Sequence, residues 1–274
     1  MHHALRVVTT LATILVAGTC ALAQTTDTAQ KGSTVTTVSP DIVKSLAPTG
    51  TLRAAINLGN IVLAQGTPDA PRGVTVDLAR ELAKRLGVGV ELTTFDAAGK
   101  SFEAMKAGKM DIVFLAIEPV RAAEVEFTAP YVLIEGVYMV PKDSPLKTNA
   151  DVDREGVRIG VNKASAYDLY LTRTLKHAQL VRSASGIDSF VNEKLDAAAG
   201  VKQPLVAYAA QNPSVKVLDG RFMDIQQAMG TAKGRDVGAA YLKKFVEEIK
   251  ASGFVADALK RSNQPDAAVA PAAM

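Results

Sequence analysis

Met110-Asp111-Ile112-Val113-Phe114-Leu115 runs directly into Ala116-Ile117-Glu118-Pro119-Val120-Arg121. The first segment is almost unbroken in its apolar character, the mark of a strand buried on both faces of a parallel sheet. Upstream, Thr51–Asn57 reads as a strand and Val74–Leu86 as a helix. Leu78, Leu82 and Leu86 share a face of that helix, and Gly87 ends it. Val88–Thr94 is a strand, and Phe102–Ala107 a short helix stopped at Gly108. The order is βαβαβ, which calls for a parallel sheet with crossover helices.

The pattern then starts again. Glu135–Val140 reads as a strand leaving the first unit. Strands at Val157–Val161, Ala178–Arg182, Asp196–Ala199 and Val215–Leu218 alternate with helices at Ala166–Leu175, Ile187–Leu195 and Gln203–Gln211. Two such units in one chain predict two lobes with a cleft between them. Crossovers are expected near Val140–Pro141 and Ala228–Thr231, within the return segment Gln226–Ala232. Val237–Ser252 follows as an amphipathic helix whose stripe, Tyr241, Leu242, Phe245, Val246 and Ile249, reads as core. Ser39-Pro40-Asp41 looks like a helix start. Asn60–Arg72 reads as an irregular loop, and the Ala/Pro-rich tail over 263–274 as disordered.

The 274 residues are 48% hydrophobic, 22% charged and 5% aromatic, a globular composition. A net charge of +3 is too small to point to nucleic acid, where many phosphates must be neutralised. Trp is absent, which argues against a sugar site built on indole stacking. Val7–Ala23 is apolar, follows Arg6 and ends in the small-x-small pattern Ala21-Leu22-Ala23, so residues 1–23 read as a cleaved signal peptide. The run is shorter than the ~20 residues that span a bilayer. The sole cysteine, Cys20, lies within it, behind a poor lipobox. The mature chain therefore has no thiol, no disulfide and one histidine, and is expected to be exported and soluble.

Catalytic signatures are thin. His177, beside Lys176 near a helix end, has no nucleophile motif around it and reads as a surface residue. There is no Gly-x-Ser-x-Gly, no Walker loop and no Cys/His cluster, so no metal or cofactor is implied. Arg121 stands out. In parallel sheets ligands gather beyond the carboxyl ends of strands, and its planar fork grips a carboxylate through charge-assisted hydrogen bonds. An ion pair with Glu118 or Glu124 fits the spacing equally well.

Thr51-Leu52-Arg53, Gly73-x-x-x-Asp77-Leu78-Ala79, Ala107-Gly108-Lys109-Met110-Asp111 and Arg121-x-x-x-Val125-x-Phe127-Thr128-x-Pro130-Tyr131 occur in that order. Arg158-Ile159-Gly160-Val161, Ser165 and Leu195-Asp196-Ala197-Ala198 follow. Over about residues 48–262 the chain resembles the family 3 solute-binding proteins of bacterial ABC importers, the polar amino-acid group. The resemblance implies a type II periplasmic-binding-protein fold, α/β and two-lobed, each lobe a mostly parallel sheet flanked by helices. It divides the chain into a linker and short helix (24–47), a first lobe (48–138 plus 232–262) and a second lobe with crossovers (139–231). It also implies a periplasmic monomer that closes on a small molecule and delivers it to an inner-membrane permease, without performing chemistry.

By the same resemblance Arg121 sits where the family grips an α-carboxylate, and Ser165 where the second lobe assists. Asn162 and Ala166, close to Ser165 in sequence, are further candidate ligand contacts; the helix-start amides at Ser165 attract anions in any case, and Ser165 also reads as a simple N-cap. Ala116 and Phe114 occupy positions often taken by Ser, Gly or Thr. Asn60 replaces the family's aromatic platform, with Asn57 nearby, and both asparagines suit loop hydrogen bonding as well. Where amino-acid binders carry an aspartate for the ligand ammonium, this chain has Val201, followed by Lys202. Lys202 reads either as a ligand contact or as a solvated residue opening the next helix. A carboxylate solute lacking a free α-amine fits these departures. The alternative is a cyclohexadienyl dehydratase-like enzyme on the same fold, with Glu118 as its acid.

Overall fold

The computed structural model describes residues 38–264 and 266–273. The expected signal peptide (1–23) and residues 24–37 of the linker lie outside the described residues. Ser39 caps α1 (Pro40–Leu46): its Oγ accepts from the Asp41 N–H at 3.3 Å, and Pro40 occupies the first turn. β1 (Thr51–Asn57) follows. The segment expected as an irregular loop then holds a hairpin of β2 (Gln65–Thr67) and β3 (Ala70–Arg72). α2 (Val74–Leu86) has the limits its sequence predicts, because Gly87 takes φ +69° and donates its N–H to the Ala83 and Lys84 carbonyls. β4 (Gly89–Phe95), α3 (Ala98–Lys106), β5 (Ile112–Ala116) and the short α4 (Pro119–Ala122) complete the first unit. α3 starts earlier than expected, at Ala98. The Ala97 carbonyl accepts from the Lys100 and Ser101 amides, and Lys100 pairs with Asp96 one turn back.

The long β6 (Val125–Pro141) leads into the second unit. There β7 (Arg158–Asn162), α5 (Ala166–Thr174), β8 (Gln179–Ser183), α6 (Gly186–Asn192), β9 (Ala197–Val201), α7 (Lys202–Gln211) and β10 (Val215–Val217) follow in turn. β11 (Met223–Ala232) returns to the first unit, where α8 (Asp236–Ala251) and α9 (Phe254–Arg261) pack. The tail is not wholly irregular, contrary to the sequence reading. β12 (Ala268–Val269) adds to β6, and the Ala270 N–H bonds the Tyr131 carbonyl at 3.1 Å.

Strand order in the large sheet is β4-β1-β5-β11-β6-β9-β7-β8. β4-β1-β5 and β9-β7-β8 are parallel blocks, and β11 and β6 run antiparallel between them. The two-lobed α/β fold is thus one sheet with a parallel block at each end. Crossing occurs at Gly136, not at Val140–Pro141. Gly136 faces Met223 of β11 on one side and Val201 of β9 on the other, whereas Val140 and Pro141 already pair with β10. The return crossing correspondingly lies at Met223, since Ala228–Gly230 pairs with β5 deep in the first block. A Cβ at Gly136 would lie 2.7 Å from Met223 Cγ and 3.1 Å from the Phe222 ring, so any side chain here requires those two residues to move.

Apolar clusters cover both faces of each block. Phe102, Met105, Met110, Val113 and Leu115 pack beneath α3, while Val137, Met139, Phe190, Leu195 and Leu205 pack beneath α6 and α7. A third, continuous core joins α2, α8 and the strands. At the opposite edge of the first block from the cleft, Asp111 is fully buried. Its carboxylate accepts the Arg53 N–H at 3.0 Å, Arg53 Nε at 2.9 Å, Arg53 Nη2 at 2.7 Å and Arg235 Nη1 at 2.9 Å. Burial alone would raise its pKa; the two guanidiniums outweigh that and hold it below the ordinary carboxylate range. Among the described residues no helix is long and apolar enough to cross a membrane.

Candidate functional site

All six parallel strands point their carboxyl ends at one space. Asn57, Phe95 and Ala116 end β1, β4 and β5, Asn162, Ser183 and Val201 end β7, β8 and β9, and all six residues line a cavity of about 1310 Å³. That exceeds the roughly 300–1,000 Å³ usual for small-molecule sites. It also follows the rule that open α/β sheets bind ligands beyond strand carboxyl ends. Of the residues singled out in the sequence, Asn57, Asn60, Phe114, Ala116, Arg121, Asn162, Ser165, Ala166 and Val201 all line it.

Lys202 does not. Its Nζ is 2.5 Å from Glu135 and its side chain is 50% exposed, so it is a surface ion pair at the start of α7. Sequence offers no hint of this, because Glu135 lies on β6 and meets Lys202 only through the β6–β9 pairing.

Arg121 is 1% exposed, the largest fully buried side chain among the described residues. α4 sets it immediately after β5, with Pro119 in the first turn. Nη1 donates to the Ala116 carbonyl at 3.2 Å and Nη2 to the Ala164 carbonyl at 2.9 Å, so one side chain links the first unit to the second. It pairs with neither Glu118 nor Glu124, contrary to the surface-pair reading. Glu118 is taken by Arg173 of α5, which reaches across from the second unit and lies over the Tyr170 ring at 5.1 Å. Burial pushes the Arg121 pKa down to about 10, against the opposing pull of the nearby Glu118 charge. A guanidinium held dry without a carboxylate partner is costly unless an anion joins it.

Ala164 meets it in a left-handed conformation, φ +58°, held by Asp168, whose Oδ2 accepts the Ala164 N–H at 2.7 Å. Ser165 is an N-cap, its Oγ accepting from the Asp168 N–H at 3.1 Å. Asp168 in turn holds Arg182 Nε at 2.8 Å. α3 presses against this loop so closely that a Cβ on Gly99 would lie 2.7 Å from Ala164 Cβ. The lining carries Arg121, Lys100, Lys109 and Lys163 against only Asp96 and Glu103, and both acids have lysine partners. Its charge favours an anion. Among the described residues no cluster of His, Cys, Asp and Glu fit for a metal occurs. His177 is exposed, and only its backbone N–H is engaged, by Asp153 at 2.8 Å.

Sequence reasoning missed Gln227 and Ile225, which bring β11 to the cavity wall. Their signal was a period-2 alternation: Ile225, Gln227 and Met229 share the buried parity of β11, and one of the three is polar.

A charged, mostly apolar-walled cavity between two α/β blocks joined by paired strands is the build of a solute-binding protein. The model of the bacterial extracellular solute-binding proteins, family 3, matches residues 62–262, and the chain belongs to that family. It is similar to the ABC transporter arginine-binding protein 1 of Escherichia coli, 28% identical over 192 residues, 66% of this chain and 77% of that one. In fold it is similar to the solute receptor for L-cysteine of Neisseria gonorrhoeae, with a TM-score of 0.70, 22% identity, and coverage of 83% of this chain and 94% of that one. It is likewise similar to the ancestral amino-acid-binding protein AncCDT-1, a precursor of cyclohexadienyl dehydratase (TM-score 0.66, 24% identity, 80% and 98% covered).

Proposed function

We propose that the chain is the periplasmic substrate-binding component of an ABC importer, capturing a small carboxylate-bearing solute as a monomer and delivering it to an inner-membrane permease. The observation that carries this reading is Arg121, buried at the cavity wall without a counter-ion among the described residues and bonded to both units. Two blocks joined at Gly136 and Met223 can close about that joint. A solute touching both blocks then stabilises the closed form, because only there does it make all its contacts. The name of the Escherichia coli relative, an ABC transporter arginine-binding protein, supports the importer role.

An organic acid without a free α-amine, a keto acid or a dicarboxylate, suits the site better than an ordinary amino acid. Val201 stands at the end of β9, and the two carboxylates near Arg121 are engaged elsewhere, Glu118 by Arg173 and Asp168 by Arg182. The enzymatic alternative needs Glu118 as an acid in the cavity. Glu118 is 2% exposed and lines a separate pocket of about 440 Å³ with Arg173, Arg221 and Asp224.

The test is a thermal-shift panel of α-amino acids, keto acids, dicarboxylates and prephenate on the wild type and Arg121→Met. A carboxylate that raises Tm in the wild type and leaves the variant unmoved is the expected outcome. An equal shift in both proteins, or turnover of prephenate, overturns the reading.

A further inference from the structure

Gln227 sits at the centre of the sheet, opposite Ala116 of β5 and Val132 of β6. Its backbone is thereby fixed from both sides, a rigid mount for a recognition group. Ala116 is the residue whose carbonyl holds Arg121, so Gln227 stands one strand away from the anion site. Residues two apart on a strand share a face, and Ile225 and Gln227 both line the cavity, whereas Gln226 faces the pocket behind it. Gln227 is 6% exposed as a residue, and its carboxamide, which makes no side-chain hydrogen bond with the described residues, opens onto the cavity rather than being sealed in the core. Asn60 adds a second carboxamide to the lining, and its Oδ1 is buried without a partner among the described residues.

A carboxamide that opens onto the cavity is hydrated while the cavity is empty, and a solute that displaces that water must replace its hydrogen bonds or leave the amide unpaired. The chemistry of that replacement is narrow. A carboxamide offers donors and an acceptor but no charge, so it cannot compensate the desolvation of an ammonium. An alkyl group would leave it unpaired. A site built to hydrogen-bond its ligand rejects analogues lacking the polar group far better than an apolar pocket rejects an added one. We propose that Gln227 is a specificity-determining residue, reading an uncharged hydrogen-bonding function (hydroxyl, keto or carboxamide) on the organic acid whose carboxylate Arg121 holds. The inference rests on the proposed reading of the cavity as a carboxylate site.

Calorimetric titration of the mature protein with glutaramate, pentanoate and δ-aminovalerate tests it. These three acids share a chain length and differ at the far end: carboxamide, methyl and ammonium. The wild type is expected to bind glutaramate about 5- to 10-fold more tightly than pentanoate, the worth of one neutral hydrogen bond. Gln227→Leu should erase that preference and leave pentanoate binding intact. Gln227→Glu should move the preference to δ-aminovalerate, an effect that a purely structural role would not produce, and it serves equally if the leucine variant does not fold. A glutaramate preference that survives in Gln227→Leu or Gln227→Glu, or its absence in the wild type while pentanoate still binds through Arg121, overturns the inference alone. Failure of all three acids to bind, or their equal binding by Arg121→Met, overturns the carboxylate reading with it.

Discussion

Asp111, at the entry to β5, and Arg121, just beyond its exit, are both buried and both charged. Asp111 is surrounded by two arginines and four hydrogen bonds. Arg121 has two carbonyls and, among the described residues, no carboxylate. One charge is neutralised inside the protein and reads as scaffold; the other is left open and reads as site. Burial alone therefore does not separate structure from function, whereas the completeness of the charge's own partners does.

Replacing Asp111 with Asn gives the largest effect. It leaves Arg53 and Arg235 without a counter-ion, a loss of about 3 kcal/mol. Tm should fall by roughly 6–12 °C in a chain this size. Solute binding by the folded fraction should be unchanged. By contrast, Arg121→Met should hold or raise the Tm of the unliganded protein, since an apolar group replaces an uncompensated charge. Equal destabilisation by the two substitutions in urea melts would break the comparison. Acid sharpens it. Asp111 titrates lower in the folded chain than its ordinary value of about 3.9, so its contribution is complete above that value and disappears as pH falls through the folded one. An acid melt of Asp111→Asn should lack this component.

Glu118→Gln breaks an ion pair between the two units whose acid is buried while Arg173 is 41% exposed. About 1 kcal/mol of closed-state preference should go with it, weakening solute binding roughly 5-fold. Small-angle scattering of the unliganded variant should show a larger radius of gyration than wild type; an unchanged radius and affinity would mean that the pair does not hold the units together. Lys202→Ala should do least. A change below about 0.5 kcal/mol in stability is expected for a surface pair, with solute affinity unaltered by titration. A large loss of affinity would return Lys202 to the site.

The fold was legible where local signals agree with the final packing. The limits of α2 follow from its leucine stripe and Gly87, and the six parallel strands from their apolar runs. β6 was visible only in its second half. Pro130 interrupts its pattern, and the structure absorbs that proline, which has no N–H to donate, at a register shift opposite Ala228. The position of the crossing at Gly136 was hidden for a similar reason, because nothing local distinguishes a strand that changes partners midway. The tail strand was illegible too. Its composition suggests disorder, and its order comes from pairing with β6, more than a hundred residues away. Within the site, Asn57, Ala116, Asn162 and Val201 are strand ends and Arg121 lies just past one, whereas Asn60, Phe114, Ser165 and Ala166 are legible only through the family resemblance. Gln227 escaped because it lies mid-strand, in a segment read only as a connection.

The ladder of main-chain bonds stops where the guest compartment begins. Three side chains at those six termini still fasten the frame, Asn57 Oδ1 accepting the Gly59 N–H at 3.1 Å, Asn162 Oδ1 the Gly186 N–H at 2.8 Å and Ser183 Oγ donating to the Ser185 carbonyl at 2.8 Å. A lineage built on this plan retunes its diet most freely at the remaining rim positions, where exchange leaves the architecture constant.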